Sequence, residues 1–152
     1  MSVEVGAVAP DFALKDQNNQ EVALADFRGS KNVVVVFYPY AFSGPCSTEM
    51  CAIRDELPQF QNDDVQTVAI SVDTPFAHRV WAEREGFDFP LLADFWPHGA
   101  VAQAYGCFDE TRGCATRGTF IIDRDGIVRY RVVNPIPTTR DHMEYLKVLA
   151  EL

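Results

Sequence analysis

The sequence predicts an α/β fold with a mixed central sheet flanked by helices, and three observations predict it. Residues 33–37 of "NVVVVFYP" and residues 65–72, "VQTVAISV", are short, largely β-branched apolar runs, the pattern of strands buried on both faces. Thr-Pro and Gly-Pro entries and Gly exits punctuate the stretches that follow such runs, as helix starts and stops do. Near the C-terminus, "GTFIIDRDGIVRYRVV" places the Asp125–Gly126 pair between two apolar runs, the signature of an antiparallel hairpin.

In chain order, the patches 12–14 and 22–24 flank the polar turn "KDQNNQE" and suggest a short extended pair. The run 33–37 ends at Pro39, and a loop then leads to a helix from about Pro45 to Phe60. Pro45 supplies the φ favoured at a first helical position, Ser43 or Gly44 can cap, and Pro58 perturbs the far end. After the strand 65–72, "TPFAHRVWAEREG" reads as a helix entered at Thr-Pro and stopped at Gly86. "FDFPLLAD" is a short strand, "PHGAVAQAYG" a helix ending at Gly106, and residues 139–152 an amphipathic helix after the hairpin. Parallel βαβ units early and an antiparallel hairpin late make the thioredoxin-like pattern, with extra elements at the N-terminus and in the middle.

The 152 residues show no repeat, low-complexity tract or linker, so a single domain over 1–152 is expected. Hydrophobic content of 47% and charged content of 23% exclude disordered and collagen-like classes. No apolar run approaches the roughly 20 residues of a membrane span. Residues 1–10 lack the basic start and apolar stretch of a signal peptide, so none is expected. A net charge of −9 argues against nucleic acid or an anionic membrane as partner, since both demand clustered Lys and Arg. Four cysteines are too few for a secreted disulfide framework, which points to the cytoplasm.

Cys46 falls in the first turn of the helix after a central strand, where unsatisfied N–H groups and the positive end of the helix dipole favour a thiolate. Position alone leaves two readings open, a nucleophile or a small buried hydrophobe. Cys51 lies five residues on, so this is not the C-x-x-C of dithiol exchange. On an ideal helix the two would be about 7.5 Å apart in rise and turned about 140° from each other. Their Cα atoms would be roughly 8–9 Å apart, beyond the usual disulfide limit of about 7 Å, unless the first turns unwind. Such a pair makes no sense as a structural disulfide and can make sense as a catalytic one.

The segment "PYAFSGPC" (39–46) resembles the P-x-x-x-T/S-x-x-C signature of the peroxiredoxins, with Ser43 in the Thr/Ser position. "APDF" (9–12) and "RGTFIID" (117–123) are further matches, and "FPLLADFWPHGAVAQAYG" (89–106) is similar to the alkyl hydroperoxide reductase E group. The resemblance covers essentially the whole chain and implies a thioredoxin-fold thiol peroxidase, the peroxiredoxin variant of that fold, without a cofactor. It implies that Cys46 is the peroxidatic cysteine, attacking the O–O bond of hydrogen peroxide, an organic hydroperoxide or peroxynitrite, with a cysteine sulfenate as product. It further implies that Arg117 contacts thiolate and peroxide, Pro39 shields the thiolate and Ser43 hydrogen-bonds the peroxide. The chemistry agrees, because displacement at oxygen needs a thiolate, charge-stabilising donors and a dry pocket, and an arginine cannot lose its proton.

The alkyl hydroperoxide reductase E group is usually described as having one cysteine, whereas this chain also has Cys51, Cys107 and Cys114. Cys51 matches the resolving position of the Q-type (bacterioferritin-comigratory) group, which implies a Cys46–Cys51 disulfide; the alternative for Cys51 is a core thiol. Cys114 is the second candidate for the resolving role, and Cys107 is expected to pack. Without an internal partner, an external thiol such as mycothiol, mycoredoxin or the thioredoxin system is required. A homodimer is expected, with Phe42 and the "DFWPHG" loop as candidate interface residues.

Other patterns are weaker. C-x4-C followed by C-x6-C misses the tight second pair that structural zinc sites favour, and the three histidines form no metal motif. His78 is expected to face solvent, His98 to cap or pack, and Glu49 either to position the arginine or simply to favour the helix dipole. The competing functions are a general thiol–disulfide oxidoreductase, a peroxide sensor or holdase, and a scaffold with a dead site.

Overall fold

The computed structural model describes residues 3–152, and the side chains of Pro45, Cys46 and Ser47 lie outside that description. Its centre is a five-stranded sheet containing the two apolar runs. The first is β3 (Asn32–Phe37) and the second β4 (Val65–Ser71), paired in parallel with Val35 opposite Val68. β5 (Leu91–Ala93) extends the sheet in parallel beside β4. On the other side of β3 lies β8 (Arg117–Ile122), antiparallel, followed by β9 (Val128–Asn134) across the Asp-Gly turn, giving the order β5-β4-β3-β8-β9.

All six residues of β3 are buried because both faces of the sheet are covered. Alternating side chains feed two cores, as the period of a strand requires. Val33, Val35 and Phe37 pack with Phe12, Tyr105 and Phe120. Val34 and Val36 pack with Met50 and Ile53 of α1 (Gly44–Asp55), Trp81 of α3 (Pro75–Glu85) and Tyr145 of α5 (His142–Leu149). The first of these cores also takes in α4 (Ala100–Ala104), while the hairpin of β1 (Ala13–Lys15) and β2 (Glu21–Ala23) pairs as the polar turn suggests and packs Leu14 and Val22 against it. Among the described residues no helix is long and apolar enough to cross a membrane.

The long helix expected to Phe60 is broken at Glu56, and α2 (Leu57–Phe60) begins there. Pro58 sits in the first turn of this second helix, where its missing N–H costs no bond, so it starts an element rather than fraying one. The C-terminal helix begins later than expected, at His142, because the Asp141 carboxylate accepts the Met143 N–H and caps it. A further hairpin, β6 (Phe108–Asp109) with β7 (Cys114–Ala115), has no counterpart in the sequence reading. Its turn is held by Asp109 Oδ1, which accepts the N–H groups of Thr111 and Arg112.

The expected solvent-facing His78 is instead fully buried. It lies on the same face of α3 as Trp81 and Ala82, and its Nε2 is 2.7 Å from the Tyr38 hydroxyl and 2.8 Å from that of Ser71. Burial lowers its pKa to about 4 even though Asp73 pulls the other way. His98 packs, edge-on to Phe108, and is 2.6 Å from the Gly113 carbonyl.

Candidate functional site

The site forms where β3 ends. Tyr38 and Pro39 are buried, and the chain then turns through 40–43 into α1. Phe42 takes a left-handed φ of 69°, a conformation uncommon for a bulky residue, and its ring packs on Trp81 with centroids 6.0 Å apart. The turn is anchored from the loop after β4: Asp73 Oδ2 accepts the Ala41 N–H at 2.8 Å and the Ser71 hydroxyl at 2.6 Å. Ser43 is the N-cap of α1, but its hydroxyl donates to the Tyr40 carbonyl at 2.9 Å instead of capping. Cys46 lies in the first turn of the helix by its backbone; its side chain is outside the described residues.

Across from this turn stands Arg117, the first residue of β8. A cavity of about 210 Å³ separates the two, lined by Pro39, Tyr40, Ser43, Cys114, Arg117 and Ile136 among others. The fold brings Pro39, Ser43 and Arg117 to one cavity. Arg117 is only 2% exposed, far from the ordinary surface position of an arginine. Its Nη1 donates to Glu49 Oε1 at 2.6 Å and its Nε donates to the Ile136 carbonyl.

Glu49 holds a second arginine that sequence reasoning missed. Arg140 binds it through its backbone N–H (2.7 Å), Nε (3.0 Å) and Nη2 (2.9 Å). Burial pushes the Glu49 carboxyl up, but the hydrogen bonds and charge of Arg140, helped by Arg117, outweigh it and hold the group below its ordinary value. Arg140 Nη1 also donates to the carbonyls of Phe37 and Gly118, both at 2.7 Å, and to Thr119 Oγ1. The β3–β8 ladder stops at the pair Val36 and Thr119, so this guanidinium bridges the strands where the next backbone rung would be. No local motif marks Arg140; it lies in a loop 91 residues from Glu49.

The other cysteines separate. Cys51 is half-buried on α1, with Sγ 3.7 Å from Glu85 Oε2 of α3, and does not line the Arg117 cavity. Burial pushes its thiol pKa up, Arg54 opposes this, and Glu85 adds to the rise. Cys107 is a core residue, 1% exposed, with burial pushing its thiol well up. Cys114 is buried and lines the cavity together with Tyr40. Among the described residues no cluster of three or more His, Cys, Asp or Glu could hold a metal ion.

Phe42, Phe95 and Trp96 are exposed to 47%, 49% and 79%, so the aromatic residues singled out for an interface stay outside the core, whereas Trp81 is inside it.

Residues 5–131 match the family model described as AhpC/TSA family. The alkyl hydroperoxide reductase E of Mycobacterium tuberculosis (strain ATCC 25618 / H37Rv) is 53% identical over 150 residues, covering 99% of this chain and 98% of that one. Among solved structures, peroxidoxin BcpB of Mycobacterium tuberculosis superposes with a TM-score of 0.87 at 30% identity, covering 98% of this chain and 97% of that one. The reduced 2-Cys peroxiredoxin of Plasmodium vivax gives the same TM-score at 28% identity, over 97% of this chain and 81% of that one. With near-complete coverage in sequence and in fold, the chain belongs to the AhpC/TSA family and is a peroxiredoxin.

Proposed function

We propose that Cys46 is the peroxidatic cysteine of this thiol-dependent peroxidase, with Arg117, Pro39 and Ser43 as its partners. The observation that carries the reading is Arg117: a buried guanidinium, locked by Glu49 and Ile136, on the wall of a cavity whose other wall leads into the helix of Cys46. The first turn of α1 and this fixed cation both favour the thiolate form of Cys46. The thiolate attacks one peroxide oxygen, the O–O bond breaks, and the leaving oxygen departs as water, alcohol or nitrite. Charge developing on that oxygen is met by Arg117, which needs no reorganisation because its other bonds are already made. The Ser43 hydroxyl, its proton engaged by Tyr40, accepts the O–H of the bound hydroperoxide. Pro39 closes the wall against water. No metal or cofactor enters these steps.

The product is a sulfenic acid on Cys46, and turnover needs a second thiol. The candidates are Cys51 on the same helix, Cys114 on the wall of the Arg117 cavity, and an external thiol from the mycothiol and mycoredoxin or the thioredoxin system. The setting for such a reductant is the cytoplasm. The exposed Phe42, Phe95 and Trp96 support a homodimer built beside the active site.

Peroxide consumption by purified protein with a dithiol reductant tests the reading. Cys46→Ser abolishes consumption, and Arg117→Ala slows Cys46 oxidation by about 10²–10³, the loss typical of one charge-stabilising donor. Normal turnover by either variant would refute the assignment.

A further inference from the structure

We infer that Cys114 is the resolving thiol, closing an intramolecular disulfide with Cys46; the inference rests on the peroxidatic assignment of Cys46. Among the three other cysteines, Cys114 alone shares a cavity with Pro39, Ser43 and Arg117. Ser43 is the N-cap of α1 and Cys46 follows three residues later, less than one helical turn away. The wall that leads to Cys46 and the wall that carries Cys114 thus face one small space.

Cys51 is less well placed. α1 runs without a break from Gly44 to Asp55, so both Cys46 and Cys51 lie on one continuous helix. Five residues of helix separate their Cα atoms by roughly 8–9 Å and turn them about 140° apart, beyond disulfide reach unless more than a turn unwinds. The Cys51 thiol is also engaged elsewhere, against Glu85 of α3. Cys107 is enclosed in the core on the other side of the sheet from Met50 and Ile53 of α1.

The element that carries Cys114 suits a moving thiol. β6 and β7 pair through two residues each, Phe108 with Ala115 and Asp109 with Cys114, outside the five-stranded sheet. Moving Cys114 leaves the β3–β8 ladder unbroken, while its neighbour Ala115 is packed in the core. The Tyr40 hydroxyl donates to the Arg112 carbonyl, which ties the hairpin to the turn entering α1. Sulfur attack would therefore occur between two segments that already touch.

The step balances without another reagent. Peroxide oxidises Cys46 by two electrons to the sulfenic acid. The Cys114 sulfur then attacks the Cys46 sulfur, the S–O bond breaks, and the Cys114 proton leaves with the hydroxide as water. The disulfide holds the two oxidising equivalents until an external dithiol, or two monothiols, reduces it.

The test adds one equivalent of hydrogen peroxide to reduced protein without reductant, alkylates the remaining thiols, and maps every cysteine by peptide mass spectrometry. Parent protein and Cys51→Ser are expected to yield a Cys46–Cys114 disulfide that migrates as a single chain. Cys114→Ser is expected to lose the disulfide and accumulate sulfenic and then sulfinic Cys46. A Cys46–Cys51 disulfide, a link between two chains, or an oxidised Cys46 with Cys114 still alkylated overturns the inference while leaving the peroxidatic role intact. An unoxidised Cys46 overturns both. The mapping of the parent protein decides the matter even if Cys114→Ser fails to fold.

Discussion

Replacing Glu49 by Gln removes one negative charge from between two buried guanidinium groups. Arg117 Nη1 and Arg140 Nη2 bond the same carboxylate oxygen at 2.6 and 2.9 Å, so these nitrogens lie within 5.5 Å of each other. At that separation and an effective dielectric of about 20, two positive charges repel by about 3 kcal/mol. Solvent screens this repulsion little, because both arginine side chains are 2% exposed. Breaking one partner out of a buried ion pair costs about 3–5 kcal/mol in general, which agrees. For a domain of this size, a loss of about 3 kcal/mol lowers Tm by about 6–12 °C. Arg117 also loses the bond that aims it, so Cys46 oxidation slows as well. Calorimetry gives the first effect and stopped-flow oxidation by hydrogen peroxide the second. If Glu49→Gln melts within a degree of the parent and reacts as fast, the three-residue network neither stabilises the fold nor positions Arg117.

Two further outcomes are expected. His78 has a folded pKa of about 4, below the ordinary histidine value, so the unfolded chain takes up its proton first. Its contribution to stability is complete above about pH 6.5 and is lost as pH falls toward 4, amounting to about 2 kcal/mol between pH 7 and pH 5. Urea midpoints across that range measure it, and a flat profile would show that the Tyr38–Ser71–His78 cluster accepts a proton at no cost. Trp96→Glu, at a position 79% exposed, is expected to shift the sedimenting species from dimer to monomer while leaving Tm within a few degrees. A parent protein that sediments as a monomer would remove this surface as an interface.

Strands and capped helices were legible in the sequence because their signals are local. The valine run of β3, the Asp-Gly turn, the Thr74 cap and the Gly86 stop each act within a few residues. β6 and β7 were not legible, since two-residue strands carry no alternation to detect. His78 could have been placed correctly: with Trp81 and Ala82 it makes the i, i+3, i+4 stripe of a buried helix face. Pro39, Ser43 and Arg117 were reached through the family signature and not through any local rule, because their meeting depends on β3 and β8 lying side by side. Arg140 left no trace, since its role consists entirely of contacts to distant partners: Glu49, Phe37 and Gly118.

That last residue has a consequence for synthesis. Chains emerge from the ribosome N-terminus first, and domains tend to fold as they appear. Cys46, its helix and the strands β3 and β4 are complete long before residue 140 is added, yet the rung joining β3 to β8 and three of the bonds that hold Glu49 wait for it. A nascent or C-terminally clipped chain can thus carry the cysteine without the frame that governs it. The order in which the parts are made leaves the proposed peroxidatic centre without its full frame until the segment around residue 140 docks, which would make competence to react with peroxide a report on that docking.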